Sequence, residues 1–303
     1  MSRLNHTSSG NEQHLGKVGV GLRHPHFREA LEETPRIDFV EVHAENFFSQ
    51  GGLSQAMLAE VRDRYEISLH STSMGLGSAQ GVNSVYLEKL ASLIGQIEPV
   101  LVSDHACFAW SQLGEHNVHA GDLLPLEFSR RSLHVLADNV DRVQQQIGRR
   151  ILVENLSSYV DFGNSDMRET EFLTALVERS QCGLLVDLNN LLVNANNFGR
   201  SDPLALAKNW LDAIPAAAVG EFHLAGYTPV AKDELIIDDH SREVSSSCWE
   251  LYGYALDRFG AVTTLVEWDN DLPEWQTLLA EAEKARAMMG QIFLTQAEQV
   301  REA

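Results

Sequence analysis

The sequence predicts an α/β protein folded as a single (β/α)8 TIM barrel, and three observations carry that expectation. Eight short apolar runs recur at fairly regular intervals, each ending in polar residues and followed by a longer helical pattern. Val, Leu, Ile and Phe fill the runs nearly continuously, as in parallel strands covered on both faces. Eight such units in about 290 residues give roughly 36 residues each, within the size range of a barrel. The main alternative, a doubly wound open sheet, needs a glycine-rich phosphate loop after its first strand. The segment GVGLRHPH offers Gly19 and Gly21 but no third glycine, and Arg23-His24-Pro25 stands where a helix should begin. No Pro/Ser-rich linker divides the chain.

The runs are, in order, KVGVGLR, IDFVEVH, EISLH, PVLVSDH, RILVEN, GLLVDLNN, VGEFHLAG and TTLVEWD. Between the third and fourth, Asn83 is predicted to cap the helix NSVYLEKLASLIGQIE. After the fourth, Ser129 is predicted to cap SRRSLHVLADNVDRVQQQIG, whose Leu133, Leu136, Val140 and Val143 fall on one face. Asp202-Pro203 reads as an N-cap followed by proline in the first helical position. Residues 227–245 form a long insertion after the seventh run, rich in Asp, Glu and His. Pro273 is predicted to open the last main helix, PEWQTLLAEAEKARAMM. The domain is expected to span 16–290, with a disordered tail at 1–15 and a C-terminal tail at 291–303. The first residues lack the apolar stretch of a signal peptide, and no window approaches the run of about 18 apolar residues that suggests a membrane span.

The chain carries 23 basic and 43 acidic residues, a formal charge of −20. Such a field repels nucleic-acid backbone and anionic membrane, so neither is an expected partner. Cys107, Cys182 and Cys248 are odd in number and widely spaced, which excludes a disulfide framework or a thiolate zinc site. A reducing cytoplasm is the expected compartment. Cys107 follows His105 by two residues and is a candidate for the pocket wall; the other two read as small core residues.

In barrels, reactive groups come from the C-terminal ends of the strands and the loops that follow. At those places the sequence puts His43, His70, Asp104, His105, Glu154, Asn155, Asp187, Asn189, Asn190, His223, Asp238, His240, Glu267 and Asp269. Any one of these alone is an ordinary structural residue. Together they crowd histidines and carboxylates onto one rim where Arg23 is the single basic companion. Uncompensated carboxylates so placed repel one another, and bound divalent cations resolve that repulsion. His70, His105, Glu154, Asp187, Asn190, His223, Asp238, His240 and Glu267 offer more donors than one ion uses. Two or three ions, with Glu154 or Glu267 bridging, would occupy them. Nitrogen and oxygen donors without thiolate admit zinc, iron and manganese alike.

At these residues the chain resembles the DUF692 family, also called UPF0276, a group of multinuclear non-heme iron-dependent oxidases that includes the methanobactin-biosynthesis oxidase. The matching segments are GLRHPHF, EVHAENF, SLHSTSMGLGS, LVSDHACF, GDLLPLEF, LVENLSSY, LLVDLNNLLVNANN, EFHLAGY, IIDDH and VEWDND, spanning roughly residues 17 to 275. The resemblance implies a barrel like those of endonuclease IV and xylose isomerase. It implies two or three iron ions, replaceable by other divalent metals, held by the nine donors just named, with Glu154, Asn190 and Asp238 as the candidate catalytic residues among them. Asn190 stands where zinc enzymes of the endonuclease-IV type carry histidine. The sequence reads Gly121 where the commoner family form has Asn before Asp122. The implied reaction is O2-dependent modification of cysteine in a ribosomally made precursor peptide, presented by a leader-recognising partner protein. Arg23, His26, His43, Asn155 and Asp269 are expected around the metals or the substrate. Arg23 and His26 are candidates to hold a peptide carboxylate or carbonyl, with an Arg23–carboxylate ion pair inside the barrel as the other expectation for Arg23.

Three other readings follow from the same residues: a zinc-dependent phosphodiester hydrolase of the endonuclease-IV type, a divalent-metal sugar isomerase, and a non-enzymatic metal-binding scaffold. The acidic charge and Asn190 oppose the first. The strand ends lack the lysine the second needs. Nine converging donors exceed what the third requires.

Overall fold

The computed structural model describes residues 16–302, apart from 34, 50, 164, 200–201 and 232–233 and the side chains of 293–302. The expected N-terminal tail, with His6 and His14, lies outside the described residues. The chain runs β1 (Val18–Gly21), α1 (Phe27–Glu32), β2 (Phe39–His43), α2 (Leu53–Arg62), β3 (Glu66–His70), α3 (Ser84–Ile97) and β4 (Leu101–His105). A hairpin follows, β5 (Cys107–Leu113) and β6 (His116–Pro125), and then α4 (Arg130–Ile147), β7 (Leu152–Glu154), α5 (Glu169–Ser180) and β8 (Gly183–Asp187). The last elements are α6 (Leu188–Phe198), α7 (Pro203–Ala213), β9 (Val219–Leu224), α8 (Ser246–Phe259), β10 (Thr263–Val266) and α9 (Trp275–Glu302).

The eight predicted strands are the eight staves of a closed barrel in the order β1-β10-β9-β8-β7-β4-β3-β2, and every neighbouring pair is parallel. Outward-facing strand residues such as Val20, Val42, Leu69, Val102, Val153 and Phe222 pack against the helices in one core. That core includes Leu133, Leu136, Val140 and Val143, the predicted face of α4. Burying each such side chain contributes roughly 1.5–3 kcal/mol. Asn83, Ser129 and Asp202 cap their helices as predicted, each accepting from backbone N–H groups of the first turn.

Three features differ from the sequence expectations. The β5–β6 hairpin was not anticipated: its strands are largely exposed, so they lack the apolar run that marks a barrel strand. The last helix starts at Trp275 rather than Pro273, whose carbonyl accepts a hydrogen bond from His26 Nε2 at 2.8 Å. Helix α9 also continues through the residues expected as a C-terminal tail, to Glu302. The segment QAEQVRE is rich in good helix formers and has no breaker. Among the described residues no helix is long and apolar enough to cross a membrane.

Strand register sets the site. Side chains alternate in and out of a strand, so the residues two before each strand-end donor form the layer beneath it. Register pairs His43 with His70, His105 with Glu154, and Asp187 with His223. One layer down, Glu41 pairs with Ser68. The barrel closes tightly on the N-terminal side, where a Cβ at Gly19 would come within 2.6 Å of the Phe39 carbonyl oxygen.

Candidate metal centre

Donor atoms gather at the C-terminal mouth. His105 Nε2 lies 3.3 Å and His70 Nε2 3.5 Å from the same oxygen, Glu154 Oε2. The other Glu154 oxygen is 3.9 Å from His223 Nδ1, which is 2.9 Å from Glu267 Oε2. That Glu267 oxygen is also 3.3 Å from His240 Nδ1, while His240 Nε2 is 3.6 Å from Asp187 Oδ2 and 2.8 Å from Asp238 Oδ1. Three of the resulting sets, His70–His105–Glu154, Glu154–Asp187–His223 and Asp187–His240–Glu267, each bring one atom per residue within 4.8 Å of the others. The sets share Glu154 and Asp187, so the mouth can hold two or three ions with carboxylates between them.

The local sequence explains how these atoms are aimed. Asp187 ends β8 and is the N-cap of α6. One of its oxygens accepts from Asn190 N at 2.7 Å, and the other, Oδ2, is buried without a hydrogen-bond partner. Asn190, on the first turn of that helix, donates through Nδ2 to the Asn155 carbonyl, which leaves its Oδ1 likewise unpartnered. Asn155 straps β7 to β8 by pairing its amide with both the N–H and the carbonyl of Asp187. Buried polar atoms are almost always satisfied. Here Glu154 Oε2, Asp187 Oδ2 and Asn190 Oδ1 are all left without hydrogen-bond partners in one place. Oxygen and imidazole donors without thiolate fit divalent iron.

Outside these atoms stands a ring of orienting contacts. Ser103 Oγ is 2.7 Å from His70 Nδ1, and Asp104 Oδ1 is 3.7 Å from His105 Nδ1. Asn189 Nδ2 donates to Asp238 Oδ1 at 2.8 Å, and the Asp238 N–H donates to the Tyr159 hydroxyl at 2.9 Å. Asp238 and His240 stand two apart, a spacing that in an extended segment puts both on one face. The structure brings them together differently: His240 sits at φ 43°, in the left-handed region, and its carbonyl accepts from Asp269 N and Asn270 N. That clamp fastens the 227–245 loop to the end of β10.

Protons and Arg23 balance the charge of the ion-free mouth. Burial lifts Glu154 to about 8 and Asp187 to about 7, with neighbouring carboxylates adding to the rise. Burial alone would lower His105, but Glu154 and Asp104 hold it up to about 9. Burial, helped by His105 and His223, drives His70 well down. Glu267 resists the upward push of burial because His223 and His240 hold it well below the usual carboxylate range.

Arg23 is 8% exposed and paired with Glu267 and Asp269, donating Nε to Asp269 at 2.7 Å. The ion pair, not a free peptide-binding guanidinium, is therefore its state. His26 is buried, with Nε2 2.8 Å from the Pro273 carbonyl oxygen and its ring tilted against Trp275. His43 and Asp269 sit at the mouth 3.9 Å apart. Cys107 is buried, and burial pushes its thiol well up. It is not among the residues that bound the opening. Two acidic residues of the site escaped the sequence analysis. Glu41 and Glu221 are fully buried one layer beneath the donors, and burial together with Glu41 raises Glu221 well above its ordinary value. The available signal was their place two residues before His43 and His223 in otherwise apolar strands.

The opening is a cleft of about 150 Å³ bounded by His43, His70, His105, His240, Glu267 and, from the hairpin, Leu123. It is smaller than the roughly 300–1,000 Å³ of sites for free small molecules. A larger apolar cavity of about 550 Å³ lies beneath α5, α6 and α7, lined by Leu156, Leu191 and Trp210, and holds none of the clustered donors.

A family profile described as RiPP precursor modification enzyme MbnB/TglH/ChrH matches residues 17–290. A UPF0276 protein of Vibrio parahaemolyticus is 43% identical over 277 residues, covering 91% of this chain and 93% of that protein. A UPF0276 protein of Chromobacterium violaceum is also 43% identical over 277 residues, covering 91% and 95%. Among solved structures, a xylose isomerase domain containing protein of Salmonella typhimurium superposes with a TM-score of 0.61 at 12% identity, over 90% of this chain and 97% of that one. Endonuclease IV of Thermus thermophilus superposes with a TM-score of 0.54 at 15% identity, over 91% and 99%. At such identities the likeness to both structures is one of fold.

Proposed function

The chain belongs to the UPF0276 family of RiPP precursor modification enzymes, the MbnB/TglH/ChrH group, and from that premise we propose that it is an iron-dependent oxidase that uses O2 to modify cysteine in a ribosomally made peptide. One observation carries the reading: buried, unpartnered oxygens of Glu154, Asp187 and Asn190 converge where the three donor sets share residues. We assign His70, His105 and Glu154 to one ion, and Glu154, Asp187, His223 and Glu267 to a second. Asp187, Asn190, Asp238, His240 and Glu267 are assigned to a third. Glu154, Asn190 and Asp238 are the residues on which catalysis is expected to depend. Iron held there supplies thiolate binding and activation of O2 for the oxidation.

The chain's own groups do the rest. Arg23 offsets the charge of Glu267 and Asp269. Asn155, Asn189 and Ser103 hold donors in place. The cleft is small for a free sugar, which favours a cysteine side chain presented on an extended peptide. A separate leader-recognising protein would present that peptide. Three buried, unpaired cysteines suit a reducing cytoplasm.

The test is metal content. Protein produced with added iron and purified without oxygen should carry two or three irons per chain and no acid-labile sulfide. Stoichiometric zinc with no iron in such material would favour the hydrolase reading instead. A second prediction concerns the ligand-bearing loop, which among its described residues has only the isolated bridge Gly226–Arg242 as regular pairing. Amide hydrogen exchange in 234–241 should slow when ferrous iron is added to metal-free protein. Unchanged exchange there would remove Asp238 and His240 from the ligand set.

A further inference from the structure

We propose that Glu41, in the layer beneath the mouth, is a positioning residue that fixes the His223 ring for metal binding; the inference rests on the metal centre assigned above. His223 turns Nδ1 toward the donors, 2.9 Å from Glu267 Oε2 and 3.9 Å from Glu154 Oε1. Its other nitrogen, Nε2, points into the barrel, 3.5 Å from Glu41 Oε1. Both residues are 0% exposed, and neither of these two facing atoms has a hydrogen-bond partner. A neutral imidazole that offers Nδ1 to a cation carries its proton on Nε2. A buried N–H with no acceptor costs about 1–3 kcal/mol, and Glu41 Oε1 is the acceptor that faces it. A small tilt of the ring, as Nδ1 is drawn to an ion, closes the gap.

Glu41 is itself held. Ser68 Oγ donates to its second oxygen at 2.8 Å, because the β2–β3 register places the two residues side by side. The arrangement completes a pattern: His70 has Ser103 and His105 has Asp104 behind the ring nitrogen that faces away from Glu154. Metal-bound histidines generally donate their second N–H to such an outer partner, which fixes both tautomer and ring orientation. Glu41 supplies a carboxylate in that role for the most deeply buried of the three rings. Without it the ring is held from the mouth side alone, by Glu267 at Nδ1.

The test compares wild-type protein with Glu41→Gln, Glu41→Leu and Ser68→Ala. Metal-free samples are titrated with ferrous iron without oxygen. Bound ions are counted by equilibrium dialysis, Mössbauer spectra are recorded, and thermal unfolding of each metal-free sample is measured. Glu41→Gln should weaken one ion about 10-fold and Glu41→Leu about 100-fold, the range spanned by loss of outer partners. One Mössbauer component should change and the others should not. Ser68→Ala, which loosens Glu41 while leaving its carboxyl in place, should weaken the same ion by a smaller factor and keeps the test open if the Leu variant does not fold. Wild-type affinity and spectra in the folded variants would overturn the inference alone. So would equal weakening of every ion in step with lower thermal stability, because that marks a general packing role. Wild-type protein that takes up no iron would overturn the metal centre and this inference together.

Discussion

Glu154→Gln is expected to lose at least one metal ion and, with it, more than about 100-fold in turnover, since even outer partners of metal ligands are worth 10–100-fold. Glu154 is the residue both of whose oxygens face histidines, Oε2 toward His70 and His105 and Oε1 toward His223. Gln has nearly the same shape but carries no charge to share between two cations. The metal-free barrel should tolerate the change. Burial already raises the Glu154 carboxyl to about 8, so the metal-free site disfavours its charged form and neutral Gln is a close substitute there. Iron counted by elemental analysis and thermal unfolding of metal-free protein check the two halves together. A variant with full iron and full turnover would take Glu154 out of the site.

The same protons give the pH dependence its sign. Ligation needs deprotonated Glu154, Asp187 and His105, whose ion-free values are about 8, about 7 and about 9. Protons therefore compete with iron below these values. Uptake should release protons and tighten as pH rises from about 6 to about 9. Glu154→Gln should release fewer protons per ion taken up.

Arg23→Met is expected to destabilise the metal-free protein by about 3–5 kcal/mol, the usual loss on removing one partner of a buried ion pair. Met fills a similar volume, so packing is largely kept. The loss arises because Glu267 and Asp269 lose their shared guanidinium: His223 at 2.9 Å and His240 at 3.3 Å stay with Glu267, but Asp269 keeps only His43 and His240 at 3.9 Å. In a chain of this size that corresponds to a fall in Tm of roughly 10 °C. Iron-loaded protein should fall less, because bound cations replace the missing charge. Equal Tm values for metal-free wild type and variant would show that Arg23 does not balance those carboxylates.

The sequence by itself determined the barrel and where its reactive rim lies. Each strand's apolar run and each helix's capped, one-sided pattern are local signals, and polar residues at the ends of apolar runs mark the rim whatever the final packing. Hence His70, His105, Glu154, Asp187, His223 and Glu267 could be named before any pairing was known, and Asp238 and His240 from their acidic loop. Only the tertiary structure decided the partnerships. Arg23 meets Glu267 and Asp269 because β1 pairs with β10 to close the barrel, 244 and 246 residues away in sequence. His26 meets the Pro273 carbonyl, 247 residues away in sequence, and His240 enters the site through a left-handed turn that spacing does not reveal. Glu41 and Glu221 looked like single polar residues inside apolar strands. They belong to the site because strand alternation turns them into the barrel interior, and closure of the sheet brings interiors of distant strands together. Periodicity is a property of a few consecutive residues; register and closure are properties of the whole sheet, and it is these that place one side chain against another.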